Sequence, residues 1–324
     1  MTRQISLETV REAAAVVYDA ALRTPLVRLH VPGLEPGQAE IFLKLESLQP
    51  IGSFKIRGAS NAVRHLTPAQ LAQGVWTVSA GNAAQGVALA ARMAGASCSV
   101  MVMDTAPDTK LRSIERLGAV IVKAPYEECW QTVEQHRSDR MTGQFVHPFD
   151  DDLFISGNGT IGLEIVEDLP DVDAIVAPIG GGGLLAGISA AVRELRPATR
   201  IYAAEPETAA PLALSFRRGQ ASRFDGWQPS FVDGAGGKSV IPTMWPILKE
   251  LVHESIVVPL DEATRAMKTV ADRVHVVMEG AAACAVAAAL SSDFAHRGHR
   301  KVVAVVSGGN IDLARFAQLT GSCP

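Results

Sequence analysis

Cysteine is scarce: the 324-residue chain has four, Cys98, Cys129, Cys284 and Cys323. No two form a CxxC pair, which excludes a zinc knuckle and a dense disulfide framework. Cys98 and Cys284 stand in apolar runs, where a free thiol reads as a small, inert hydrophobe. Long apolar runs are missing too. With no stretch of about 18 uncharged apolar residues, a helical membrane span is not expected. The first residues, interrupted by Arg3, Glu8 and Arg11, lack the apolar block of a secretory signal. A cytoplasmic protein is therefore expected. Basic excess is absent as well. The 30 Lys and Arg face 34 Asp and Glu, giving a net charge of −4, without the cationic stripe that nucleic-acid binding requires. There is no fixed-period repeat, low-complexity tract or long linker.

What is present is a chain with 48% hydrophobic residues, enough for a sizeable core in two domains or one large α/β unit. Short β-branched runs alternate with Ala-rich amphipathic segments, the pattern of parallel strands joined by crossover helices. Strands are expected at 41–45, 75–78, 98–103, 120–122, 174–178, 200–204 and 301–306. Helices are expected at 7–20, 84–93, 109–117, 161–168, 184–194, 261–274 and 281–290. Asp261 and Glu262 suit the start of their helix and Arg273 its far end. Residues 219–246 read as a long loop, which is either functional or a packed surface excursion.

Residues 173–187 read as strand, glycine loop and helix. Gly180, Gly181, Gly182 and Gly183 let successive backbone N–H groups point into one concavity, and Leu184 opens a helix whose positive end adds to it. Leu184 and Leu185 replace the Lys and Ser/Thr of a P-loop, and contiguous glycines after residue 170 do not match a dinucleotide fingerprint. The reading is a small phosphorylated ligand.

Three further segments carry chemistry. Lys55 lies between Phe54 and Ile56, where apolar neighbours disfavour the charged amine and make it a nucleophile toward an aldehyde. Ser79, Ala80, Gly81, Asn82 and Ala83 stand where a strand passes into a helix, a place suited to a carboxylate. Ser307 follows an apolar strand, and ligands of open parallel sheets bind at strand C-terminal ends.

Taken together and in this order, these motifs resemble the fold-type II pyridoxal-phosphate enzymes, in the serine/threonine dehydratase and serine racemase branch. The resemblance runs from Thr24-Pro25-Leu26 to Asn310. It implies a two-domain α/β architecture of open, mostly parallel twisted sheets flanked by helices. A large discontinuous domain would comprise residues 1–72 and 150–324, with a small one at 73–149. It further implies pyridoxal 5'-phosphate as cofactor, with Lys55 carrying it as a Schiff base and acting as catalytic base. Phe54 would pack on the ring and Asn82 bind its phenolic oxygen. Residues 180–183 with Leu184 would hold the phosphate, and Ser307 would face the pyridine nitrogen. Ser79, Ala80, Gly81, Asn82 and Ala83 would bind the substrate carboxylate, and Glu279 would either approach the site or simply complement a helix dipole. The implied activity is a dehydratase, an ammonia-lyase acting on L-threonine or L-serine, in a homodimer. The alternatives are an amino-acid racemase, another β-elimination or replacement enzyme such as a 3-hydroxyaspartate dehydratase, and a non-catalytic amino-acid-binding protein.

Departures from the family pattern bear on these alternatives. Ala80 replaces the hydroxyl that serine racemases use on the second face of the cofactor, which favours elimination. Ala83 stands where His is common, Asn158 where Gln is usual, and Gly280 where Pro is usual, so substrate preference stays open. Racemase-like members hold a divalent cation. Glu205 and Ala209 match two of its ligand positions, whereas Pro211 replaces the second acid. No metal is expected, and a divalent or monovalent cation is left open. The runs Asp150-Asp151-Asp152 and His296-Arg297-Gly298-His299 read as solvated turns.

Overall fold

The computed structural model describes residues 3–30 and 39–321; Cys323 lies outside the described residues. In chain order the elements are α1 (Leu7–Val17), β1 (Leu26–Arg28), β2 (Glu40–Leu45), a 3₁₀ turn (Glu46–Leu48), α2 (Lys55–Arg64), α3 (Pro68–Ala72), β3 (Val75–Val78) and α4 (Asn82–Met93). Then come β4 (Cys98–Met103), α5 (Asp108–Glu115), β5 (Val120–Ala124), α6 (Tyr126–Gln135), β6 (Gln144–Phe145), α7 (Asp152–Asp168), β7 (Ala174–Pro178), α8 (Gly183–Leu195) and β8 (Arg200–Pro206). The last are α9 (Pro211–Arg218), α10 (Trp245–Leu251), β9 (Glu254–Val258), α11 (Leu260–Val274), α12 (Gly280–Leu290), α13 (Ser292–Ala295), β10 (Lys301–Val306) and α14 (Leu313–Gly321).

Two sheets result. The larger has the order β1-β2-β10-β7-β8-β9, parallel except for β1. The smaller is the parallel sheet β5-β4-β3-β6, drawn wholly from residues 75–145. Side-chain alternation explains the larger sheet's burial. Ile175, Ala177, Ile201, Ala203, Val303 and Val305 enter one core. Ala174, Val176, Tyr202, Ala204, Val302 and Ala304 enter the other. A sheet covered on both faces has apolar residues in succession, which is why these strands are legible as short apolar runs.

Helix α7 corrects the expected start at 161: it begins at Asp152 and includes the segment 156–160, which resembles a helix breaker. Asp151 Oδ1 accepts from Phe154 N at 2.7 Å, closing the N-terminus. The glycines serve close crossings. A Cβ at Gly157 would lie 2.5 Å from Arg57 O, at Gly159 2.8 Å from Gly187 O, and at Gly162 2.9 Å from Ile188 O. Thus α7 is seated directly against α2 and α8.

The polar look of α2, which hid it in the sequence, also has a packing cause. Arg57 is fully buried, bonded to both oxygens of Glu46 at 2.8 Å and to Glu164 at 2.6 Å. Lys44 meets Glu164 at 2.5 Å. Buried charges persist only when paired and hydrogen-bonded, and this network anchors the first turn of α2, where Lys55 stands.

Candidate active site

The chain ends of β2 and β10 are brought together first. Phe54 N donates to Ser307 O at 3.0 Å and Gly309 N to Gly52 O at 2.9 Å, and Ser53 pairs with Gly308. Ser307 is buried. This antiparallel contact sets Lys55 at the C-terminal end of the parallel sheet. Its Nζ donates to Pro148 O at 2.6 Å, between the rings of Phe54 and Phe154 at 5.2 and 5.3 Å. Burial pushes the amine down to about 8, opposed by the nearby Glu279 carboxylate.

The glycine loop follows β7. Gly182 has φ +94° and is the N-cap of α8 without a side-chain cap, so the helix presents first-turn amides that an anion can take. Its neighbours leave no room for side chains. A Cβ at Gly181 would enter the Phe149 ring, one at Gly183 would lie 2.6 Å from Phe149 O, and one at Gly180 3.0 Å from Gly234 O. The Leu184 side chain packs in the core, leaving its amide for an anion. Pro148 and Phe149 are consecutive: the amine is bonded to the first and the glycine loop is seated on the second.

Asn82 begins α4. Its Nδ2 donates to Glu279 Oε1 at 2.9 Å and Oε2 at 3.1 Å, and its Oδ1 accepts from Asn310 Nδ2 at 2.7 Å. Asn310 also donates to Ile51 O at 2.8 Å. Ser79 Oγ accepts from Gly81 N at 3.1 Å. A Cβ at Gly81 would meet nothing within 4 Å, so the space beside this turn is open. Ala80 is half-buried and Ala83 buried. Glu279 is the N-cap of α12, and its N–H donates to Gly308 O at 3.0 Å. Desolvation pushes its carboxyl up to about 7, partly opposed by the Asn82 bond. Gly234 touches both Gly180 and Glu279, so the N-terminal ends of α4, α8 and α12 gather at one place. Such ends attract anions.

Other sequence-predicted residues sit elsewhere. Glu205 is buried and accepts from Leu212 N and Ala213 N, both at 2.8 Å, and from Ser255 Oγ at 2.7 Å. It is a strand-end acid closing the start of α9, and burial raises it to about 7. Ala209 is buried nearby. The solvated reading of 150–152 is corrected: Asp150 is buried, paired with Arg3 and bonded by Thr243 at 2.6 Å, while Asp151 caps α7. His296 is exposed, and His299 is half-buried and bonded to the Tyr202 hydroxyl at 2.8 Å. Within the 219–246 loop, Gly236 N donates to Ile179 O at 2.8 Å, which ties that loop to the cradle. Sequence reasoning missed Pro148, Phe149 and Phe154; a His-Pro pair between a strand and a capped helix was the available signal.

An amine held low, a cradle of glycine amides and a polar rim fit a small molecule with an aldehyde and a phosphate. The pyridoxal-phosphate dependent enzyme family matches residues 17–308. An L-threonine ammonia-lyase of Thermotoga maritima is 39% identical over 312 residues, covering 95% of this chain and 76% of that protein. A catabolic L-threonine dehydratase of Staphylococcus aureus is 38% identical over 320 residues, covering 97% and 91%. Among solved structures, maize serine racemase superposes with a TM-score of 0.88 at 33% identity, covering 97% of this chain and 96% of that one. The chain belongs to the pyridoxal-phosphate dependent enzyme family, in the fold shared by its dehydratases and racemases.

Proposed function

We propose that the protein is a lyase that eliminates water from a 3-hydroxy-amino acid, L-threonine or L-serine, the resulting enamine then taking up water to give a 2-oxo acid and ammonia. The observation that carries this reading is the Lys55 amine bonded to Pro148 O, one residue from the wall of the glycine cradle. When bound, pyridoxal phosphate supplies the electron sink that makes a substrate Cα proton removable.

The chain's residues do the rest. Lys55 would hold the aldehyde carbon, and the amides of residues 180–183 and of Leu184 would hold the phosphate. Phe54 would flank the ring, Asn82 would take the phenolic oxygen, and Ser307 would offer the pyridine nitrogen a neutral hydroxyl. A hydroxyl does not hold a ring proton as a carboxylate does, which favours loss of the Cβ group. Ser79 and the turn at residues 80–83 take the substrate carboxylate. With its pKa near 8, Lys55 Nζ is deprotonated in roughly one molecule in ten at pH 7, against fewer than one in a thousand for an ordinary lysine. Once the substrate's own amine has taken its place on the aldehyde carbon, the freed Lys55 amine would be the base that takes the Cα proton.

Closure excludes water. Lys110 of α5 pairs with Asp233, and Lys238 lies over Tyr126 of α6 at 4.4 Å and Trp227 at 4.8 Å. Both contacts join the unit at 73–149 to the loop beside the cradle, and this unit is the small domain that closes over substrate. The enzyme acts as a homodimer, which sedimentation checks directly. Ala80 offers no hydroxyl for reprotonation from the second face, so elimination is favoured over racemisation. The test is incubation of the cofactor-loaded protein with L-threonine, L-serine and 3-hydroxyaspartate. Release of 2-oxo acid with equal ammonia is expected; D-enantiomer without 2-oxo acid, or binding without product, overturns the reading.

A further inference from the structure

His147 is buried and lies outside every group so far given a chemical role. Its Nδ1 accepts from Phe149 N at 3.2 Å and Asp150 N at 2.7 Å. Since Nδ1 accepts, the ring proton is on Nε2, which donates to Val133 O of α6 at 3.1 Å. The ring also meets Phe149 edge-on, with centroids 4.6 Å apart. These bonds shape the two residues that matter most to the site: Pro148, whose carbonyl holds Lys55, and Phe149, on which Gly181 and Gly183 are seated.

We infer that His147 is a positioning residue, a neutral imidazole that braces the Pro148–Phe149 turn so that the Lys55 amine and the glycine cradle keep the spacing of one cofactor. The inference rests on the proposed role of Lys55. Only a side chain with an acceptor on one side and a donor on the other satisfies the turn amides and the α6 carbonyl together. Burial keeps the imidazole neutral, pushing its pKa down to about 3; the facing His136 and Lys55 act in the same direction, while Asp150 and the Val133 carbonyl oppose it, so the acceptor persists at working pH. His136, His147 and Asp150 could otherwise suggest a cation site. Both His147 nitrogens are committed, however, and Asp150 is held by Arg3 and Thr243.

The experiment compares the wild type with His147→Phe, which keeps a ring and loses all three bonds, and with His147→Asn, whose Oδ1 can still accept from the turn amides. Cofactor is removed, then titrated back while the visible absorption of the bound form is followed; kcat and KM are measured at saturating cofactor. For His147→Phe the cofactor dissociation constant is expected to rise about tenfold or more, and kcat to fall with KM nearly unchanged. His147→Asn is expected to recover most of both losses. Wild-type values in His147→Phe, or equal losses in the two variants, overturn the inference. If His147→Phe does not fold, His147→Gln takes its place, because its longer side chain carries the oxygen past the turn amides. Then His147→Asn outperforming His147→Gln supports the brace and equality overturns it. Absence of a visible band in the wild type overturns the reading of Lys55 itself, a result separate from any difference among the variants.

Discussion

Desolvation moves the two titrating groups nearest the reaction in opposite directions. The Lys55 amine falls to about 8 and the Glu279 carboxyl rises to about 7, so both change protonation near neutrality. For Glu279 the sign is definite: its folded pKa lies above the ordinary carboxyl value. Its stability contribution is therefore full below about pH 4.5 and is lost as pH rises to about 7. Glu205, also raised to about 7, adds a decline over the same window. Glu279→Gln is expected to flatten part of this fall in cofactor-free protein, followed by urea midpoints from pH 4.5 to 7; an unchanged slope would count against a buried, protonatable Glu279. Lys55, the glycines, Asn82 and Ser307 were legible as candidates because each sits in a local sequence motif. The Pro148 carbonyl and His147 were not, since a backbone acceptor and a long-range brace leave no local pattern.

At the scale of elements, the mostly buried strands β3, β4, β7 and β10 were read with their observed bounds, because burial on both faces writes a short, largely apolar run. Edge strands β1, β6 and β9 are short or half-exposed, so they carry little pattern, and the sequence reading passed over them. Helix α7 was read only from its second half, because Gly157 and Gly159, which are contact points, interrupt the apolar pattern of its first half. Gly157→Ala is accordingly expected to destabilise the fold by about 1–3 kcal/mol, although alanine favours isolated helices over glycine. Chemical denaturation measures it, and a neutral or stabilising effect would contradict the close α2–α7 crossing.

For the whole molecule, the segments that follow β2, β3, β7 and β10 are brought together, as the bonds of Asn82 to Glu279 and Asn310 and of Phe54 to Ser307 show, and the candidate site is made of them. The order of chemistry-bearing segments along the chain conveyed this convergence only through the family resemblance, since the crossing of β10 between β2 and β7 has no local signature. The exposed pair Lys110–Asp233 contributes little to stability, as surface ion pairs do, but it joins α5 to the loop that carries Gly234, beside Gly180. Lys110→Ala is expected to leave the melting temperature within a degree or two and to raise KM several-fold, measured by steady-state kinetics. An unchanged KM would remove this contact from the closing motion. The account stands on one amine and one cradle holding the same molecule. Its most direct test is borohydride reduction of the pyridoxal-phosphate-loaded protein followed by peptide mapping: a pyridoxyl-phosphate group fixed on Lys55, lost in Lys55→Ala, is the predicted result, and a label on another lysine or none would contradict it.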